Sequence, residues 1–335
     1  MHILFYILGL SVTLLGVVDL IWTTLWVDGG AGPVSKRTAR WTWTAVKRIS
    51  GDKDGLFNIV GPLILIFTIL SWVLLIWLGS ALFFAGDPDS IIQTTFEGPV
   101  RWYERLYFTG FTLFTLGVGD YSPRPGFWQI VTAVNSGMGI LLLTLGASYV
   151  ISVIGAVVNK RALARTISGL GNSSTEIIKR AWNGENFYQL DQILMSISSQ
   201  ITQLTQQHQA YPLLHYYHCH QPADSSAVSI SILDDVLTLM LSGMEGSDKI
   251  NKALVYEARS SIGTYLETMT SAFIKEADET PPPPVIAELE GKELPLVTDD
   301  VFFERIENIS KRRRQLLGAV HADNHSWPRQ DRQNS

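Results

Sequence analysis

The sequence predicts an all-α membrane protein: three spanning helices, one short segment that enters the membrane and returns, and an all-helical domain outside the bilayer. Three observations carry this. The 335-residue chain is 46% hydrophobic and only 17% charged, too apolar for an ordinary soluble protein. Its long uncharged runs of predominantly apolar residues all fall in the first 159 residues. Its charge is also uneven, with nine basic and nine acidic residues up to residue 158 against 17 and 22 beyond it. The single cysteine, Cys219, excludes an intramolecular disulfide scaffold.

Residues 1–27 predict an N-terminal anchor helix, uncharged except for Asp19. No basic residue precedes this run and the positive charges follow it, the pattern of a retained anchor rather than of a cleaved signal. Asp19 is read either as a functional polar group or as a side chain near one membrane face or bonded between helices. Residues 28–55 form a basic connection in which Arg37, Arg40, Lys47 and Arg48 interleave with Trp41 and Trp43. Such a stretch suits an amphipathic helix on the inner membrane face, drawn to anionic lipid or simply anchored there.

Within residues 56–159, Leu56–Gly86 and Pro125–Asn159 are uncharged and exceed the roughly 20 residues that cross hydrocarbon. Leu106–Gly119 is uncharged but too short to cross, so a re-entrant course is expected. The excess of Lys and Arg in residues 28–55, and Lys160, Arg161 and Arg165 after the last span, place both segments in the cytoplasm and the N-terminus outside.

The re-entrant run ends Thr112-Leu113-Phe114-Thr115-Leu116-Gly117-Val118-Gly119-Asp120. This resembles the pore domain of potassium channels, whose signature Thr-x-x-Thr-x-Gly-[Tyr/Phe]-Gly-Asp is matched at every fixed position except the aromatic, where Val118 stands. The resemblance covers about residues 56–159 and implies outer helix, pore helix, filter and inner helix, in that order. It further implies a homotetramer, because one subunit supplies only a quarter of a ring of carbonyls that replaces the water of a potassium ion. By this resemblance the ion is held at Thr115, Leu116, Gly117, Val118 and Gly119. Thr112 braces the filter and Asp120 lines the outer mouth. Potassium is then the permeant ion; no other metal and no cofactor is expected. Glycine at 117 and 119 suits backbone of positive φ. Valine at 118 offers less packing than an aromatic ring, so a less selective monovalent cation pore is the alternative to a potassium channel. A non-conducting, membrane-anchored signalling or scaffold protein is the rival from another class.

The last apolar run, about 50 Å if helical from Phe127 to Asn159, exceeds the bilayer core and has to tilt or protrude. Gly139 falls where the family commonly has its inner-helix hinge; close helix packing is the competing reading. Thr144, Ser148 and Ser152 recur every four residues and share one helix face, either lining a wet cavity or bonding a neighbouring helix. No span carries Arg or Lys at every third position, so no voltage-sensing helix is expected.

From residue 160 onward the apolar spacing is helical: Phe187, Leu190, Ile193, Leu194, Ile197, Ile201 and Leu204 share a face. Similar patterns recur at Ile230–Leu241, Ile250–Ile274 and Val301–Leu317. Residues 160–280 are read as the helical domain. Residues 281–335 are read as a stiff linker at Pro281–Pro284, a final helix and, from His321, a disordered tail. His215, His218, Cys219 and His220 lie together in an apparent loop, with metal binding as the lesser reading. Lys311–Arg314 reads as a solvated basic face, and no nucleic-acid partner is expected. Nucleophile, phosphate-binding and metal constellations are missing at readable spacing, so the chain is read as no enzyme. The gating signal is not specified. A plasma membrane, of prokaryotic type, is the expected location.

Overall fold

Runs of apolar residues without a polar face satisfy their backbone internally as helices when they lie in hydrocarbon. The computed structural model describes residues 2–27, 30–50, 59–94, 98–245, 249–289 and 294–328. Three helices are long and apolar enough to span: α1 (His2–Leu25), α3 (Val60–Phe84) and α5 (Phe127–Ser168). Between them lie α2 (Pro33–Ser50), the short α4 (Trp102–Leu113) and two strands, β1 (Ile91–Gln93) and β2 (Tyr121–Pro123). The fold is that of an all-α membrane protein with one small antiparallel strand pair, Ile91 opposite Pro123. Three-residue strands leave too short an alternation to show in the sequence.

Among the described residues the chain forms two compact units, the first holding the chain up to Ile154 together with Ala210–Leu213. In it, α1 lies close along α3 because Gly9 and Gly79 leave no side chain between the backbones; a Cβ on Gly9 would collide with the Phe83 backbone. Asp19 is fully buried and accepts from Val34 N (2.7 Å), Ser35 N (3.1 Å) and Trp72 Nε1 (2.8 Å). Its carboxylate therefore sits at the positive N-terminal end of α2, which resolves the sequence alternatives in favour of bonding between helices. Along α2 the side chains of Arg37, Arg40, Lys47 and Arg48 are exposed and Trp41 is 70% exposed, the two-faced pattern of an interfacial helix. Asp28, Lys53, Glu97 and the expected start of the second span at Leu56 lie outside the described residues.

Helix α5 runs past Asn159, where the last uncharged run ends, and continues without a break to Ser168. Residues 160–168 keep helix-forming Ala, Leu and Arg, and charge alone does not end a helix. The second unit takes Gly155–Gln209 and the chain from Leu214. It contains the end of α5 together with α6 (Ser174–Ala181), α7 (Asp191–Ala210), α8 (Ser226–Ser242), α9 (Lys252–Ala272), α10 (Asp299–Ile306) and α11 (Ser310–Ala322). On α7 the apolar face holds as read, save that Ile193 is only half-buried. Helix α8 is buried from Ser226 to Met240 on all sides, which makes it the centre of this unit.

The solvated basic face of α11 is corrected. Arg312 Nη2 bonds the buried Asp234 of α8 at 2.6 Å, and Arg313, 2% exposed, bonds Asp235. Arg313 also donates to the Pro282 carbonyl (2.6 Å), which holds the proline segment against this helix. The disordered tail from His321 is corrected too: α11 runs to Ala322, Asp323 is buried, and the Arg313 guanidinium lies 5.4 Å from the Trp327 ring centre. Polar composition hid these contacts, because their partners lie far away in sequence.

Candidate functional site

The aromatic stretch before the signature folds as α4, whose start is fixed by charge. Glu104 accepts from Arg101 N (2.6 Å) in the first turn. Arg105, nearly buried, donates to the carbonyls of Phe84 (3.0 Å) and Pro88 (2.9 Å) and to Ser90 Oγ (3.1 Å). One guanidinium thus satisfies several loop carbonyls that would otherwise be buried unpaired. Phe108 and Phe111 pack into a cluster with Phe84, Tyr121 and Trp128. The helix ends at Leu113, where Phe114 N bonds Gly110 O (2.9 Å) and Leu116 N bonds Phe111 O (2.8 Å).

The next residues carry unusual backbone. Thr115, Gly117 and Gly119 have φ of +56°, +60° and +86°, whereas Leu116 and Val118 between them do not have positive φ. Alternation of positive and negative φ turns successive carbonyls toward one side of a chain, the requirement for a carbonyl ladder. A Cβ on Gly117 or Gly119 would meet nothing within 4 Å, so glycine serves the dihedral there and not space. Thr115 is the feature that sequence reasoning missed: a β-branched residue in a region L-residues avoid, stored strain at the base of the run.

Beyond the run, Thr94 donates to the carbonyls of Gly119 (3.1 Å) and Asp120 (2.9 Å), and the β1–β2 pair clips the exit. The Gly119 carbonyl is thus engaged within the chain, whereas its positive φ shapes the backbone. The half-buried Asp120 follows directly at this exit.

Behind α4, three residues not singled out by the sequence form a buried network. Asn135 donates to Thr109 O (3.1 Å) and Thr112 Oγ1 (2.7 Å) while accepting from Ser80 (2.8 Å), and Ser136 donates to Thr112 O (3.0 Å). Thr112 therefore joins α4 to α5, and reaches the run itself through Thr115 N bonding its carbonyl at 3.2 Å. A lone Asn in a long apolar helix was the available signal. A Cβ on Gly139 would collide with the Leu113 carbonyl, so this glycine lets α5 touch the end of α4, and α5 is helical throughout the region. Thr144, Ser148 and Ser152 are all exposed on α5. They are not among the residues lining an apolar hollow of about 480 Å³, to which Ile69, Val73, Thr115, Leu143 and Val150 contribute.

In the second unit the His/Cys cluster disperses. His215 stacks on Phe273 at 5.5 Å, and burial, with Lys160 and His218 nearby, pushes its pKa down to about 4. His220 is exposed. His218 Nδ1 lies 3.3 Å from Asp323 Oδ1, and Cys219 Sγ lies 3.7 Å from His325 Nε2. Burial raises the Cys219 thiol to about 12. Asp323 also meets Lys160 Nζ at 3.6 Å and accepts from Ser225. Burial alone would raise this carboxyl, but Lys160 and the bonds from His218 and Ser225 outweigh it and hold it well below the usual carboxylate range.

Comparison with known proteins matches residues 64–156 to a family described as ion channel. The uncharacterized membrane protein YdjJ of Bacillus subtilis (strain 168) is 38% identical over 327 residues, covering 98% of this chain and 96% of that protein. No solved structure matches.

Proposed function

We propose that this chain, which belongs to one family with YdjJ along nearly its whole length and carries an ion-channel domain over residues 64–156, is one subunit of a homotetrameric potassium channel. The observation that carries the reading is the alternating backbone of residues 115–119 between a short helix and a long apolar one. Four copies around an axis would present the carbonyls of Thr115, Leu116, Gly117 and Val118 to a dehydrated ion. Leu116 and Val118 are 69% and 55% exposed on one chain, and neighbouring subunits would cover them. The negative end of α4 favours a cation near the membrane centre, while Asp120 raises cation concentration at the outer end. Thr144, Ser148 and Ser152 line the wet inner cavity of this assembly.

Passage is passive, without a covalent step. The channel lies in a plasma membrane with its N-terminus outside and its second unit in the cytoplasm, as the Lys and Arg distribution of residues 28–55 supports. Helix α2, with Arg37, Arg40, Lys47 and Arg48 exposed, rests on anionic lipid. Gating signals enter through the cytoplasmic helices or through that lipid. A weakly selective cation pore has one observation in its favour: Val118 offers no ring or hydroxyl to hold the filter's diameter.

Liposomes containing the purified protein test the reading. Potassium efflux that exceeds sodium efflux and vanishes in Gly119→Ala is expected; equal efflux of both ions would establish the weakly selective pore. Absence of flux in the native protein, and in a form lacking the second unit, would overturn the channel reading.

A further inference from the structure

We infer that Cys219, Asp323 and His325 form a binding site for a borderline-soft divalent metal ion of the zinc class. Their ligand atoms, Sγ, a carboxylate oxygen and an imidazole nitrogen, all lie within 4.8 Å of one another. The Cys219 Sγ to His325 Nε2 separation is 3.7 Å. Tetrahedral zinc with bonds of about 2.3 Å to sulfur and about 2.1 Å to nitrogen sets its ligands about 3.5 Å apart, so the pair is already at coordinating distance. The site draws on two parts of the chain, the loop before α8 and the segment after α11, and so differs from the sequence cluster of four neighbouring residues. Neither His215, stacked on Phe273, nor the exposed His220 belongs to it.

The donor set selects the ion. Lys160 Nζ lies 3.6 Å from the same Asp323 oxygen that faces His218, so part of the carboxylate's charge is already matched. A hard cation such as calcium, which depends on several charged oxygens, gains little here. A metal that bonds through thiolate and imidazole gains most. Asp323 is 6% exposed and fixed by Ser225, His218 and Lys160. These neighbours orient the ligand as partners outside the coordination sphere do in metal proteins. Cys219 and His325 are only half-buried, which leaves the ion a way in. Binding releases the thiol proton to solvent and leaves the fourth position to water. Its structural consequence is a clasp between residues 219 and 325 at the base of the second unit's central helix.

The full-length protein, purified in detergent without chelator and titrated with zinc and separately with cobalt, tests this by metal content and near-ultraviolet absorption. One zinc per chain and a thiolate-to-cobalt absorption band are expected, with affinity at least about 10-fold weaker in Cys219→Ser and in His325→Ala and unchanged in His220→Ala. The readout is binding, so it stands or falls apart from ion conduction. Absence of stoichiometric zinc, or equal binding by native protein, Cys219→Ser and His325→Ala, would overturn the proposal and leave an ordinary thiol–imidazole hydrogen bond.

Discussion

The two units of this chain use buried polar groups in opposite ways. In the membrane unit, Asp19, Arg105 and Asn135 each spend their hydrogen bonds on uncharged groups: amides at the start of α2 with Ser35 and Trp72, the carbonyls around Phe84 and Pro88, and the Thr109 carbonyl with the hydroxyls of Thr112 and Ser80. In the second unit the buried charges pair with one another, Asp234 with Arg312, Asp235 with Arg313 and Asp323 with Lys160. Where hydrocarbon supplies no water, single polar residues hold irregular backbone in place. Where helices of one unit must be locked in register, charge pairs do it at a desolvation cost.

The largest stability effect should follow from breaking a buried pair. Arg313→Ala leaves Asp235, in the middle of the buried α8, without its cation and is expected to cost the second unit about 3–5 kcal/mol, measured by denaturant unfolding of the purified protein. The double variant Arg313→Met with Asp235→Leu should recover most of that loss; if it is no better than Arg313→Ala alone, shape rather than charge governs the contact. In the membrane unit, Asn135→Ala should cost about 1–3 kcal/mol by leaving the buried Ser80 hydroxyl without its acceptor and Thr112 Oγ1 without its donor. It should also lower the preference for potassium over sodium, because the brace behind α4 is gone. An unchanged ion ratio would detach Asn135 from the filter.

Acid should separate the units. Burial, with Lys160 and His215 nearby and opposed by Asp323, holds the His208 pKa well below its ordinary value, and neither of its ring nitrogens has a hydrogen-bond partner among the described residues. Tyr265 and Phe273 close over the ring, and His215 is lowered to about 4. Both imidazoles are neutral when folded, whereas the unfolded chain protonates near pH 6.5. The unfolded state therefore gains protons first, so their contribution is complete above about pH 6.5 and is lost as pH falls toward 4. Melting temperatures from pH 8 down to 5 should fall, and His208→Phe should flatten the decline. Smallest of all, the exposed Arg165–Asp224 pair should change stability by less than about 1 kcal/mol in Arg165→Gln; a larger loss would mean that the end of α5 depends on it.

How much of this was legible depended on distance along the chain. The three spans, the short re-entrant run and the residues Thr112–Asp120 are local patterns, and they were readable from the sequence. So was the role of glycine at 117 and 119, because a positive φ asks for it wherever it occurs. The strain at Thr115 was not readable, since its residue type argues against that backbone. The partners of Asp234 and Asp235 lie 78 residues on, that of Asn135 at Ser80 lies 55 back, and His325 lies 106 beyond Cys219. No periodicity links such pairs, and a basic run such as Lys311–Arg314 looks solvated until the helix that buries it is placed.

The central claim is that the alternating backbone of residues 115–119 is a potassium filter. Single-channel recording in a planar bilayer with potassium on one side and sodium on the other, for the native chain and Gly117→Ala, tests it most directly. The account expects a reversal potential set by potassium and no openings in Gly117→Ala that has kept its tetramer. Sodium-equivalent currents in the native protein, or unchanged conductance in Gly117→Ala, would contradict it.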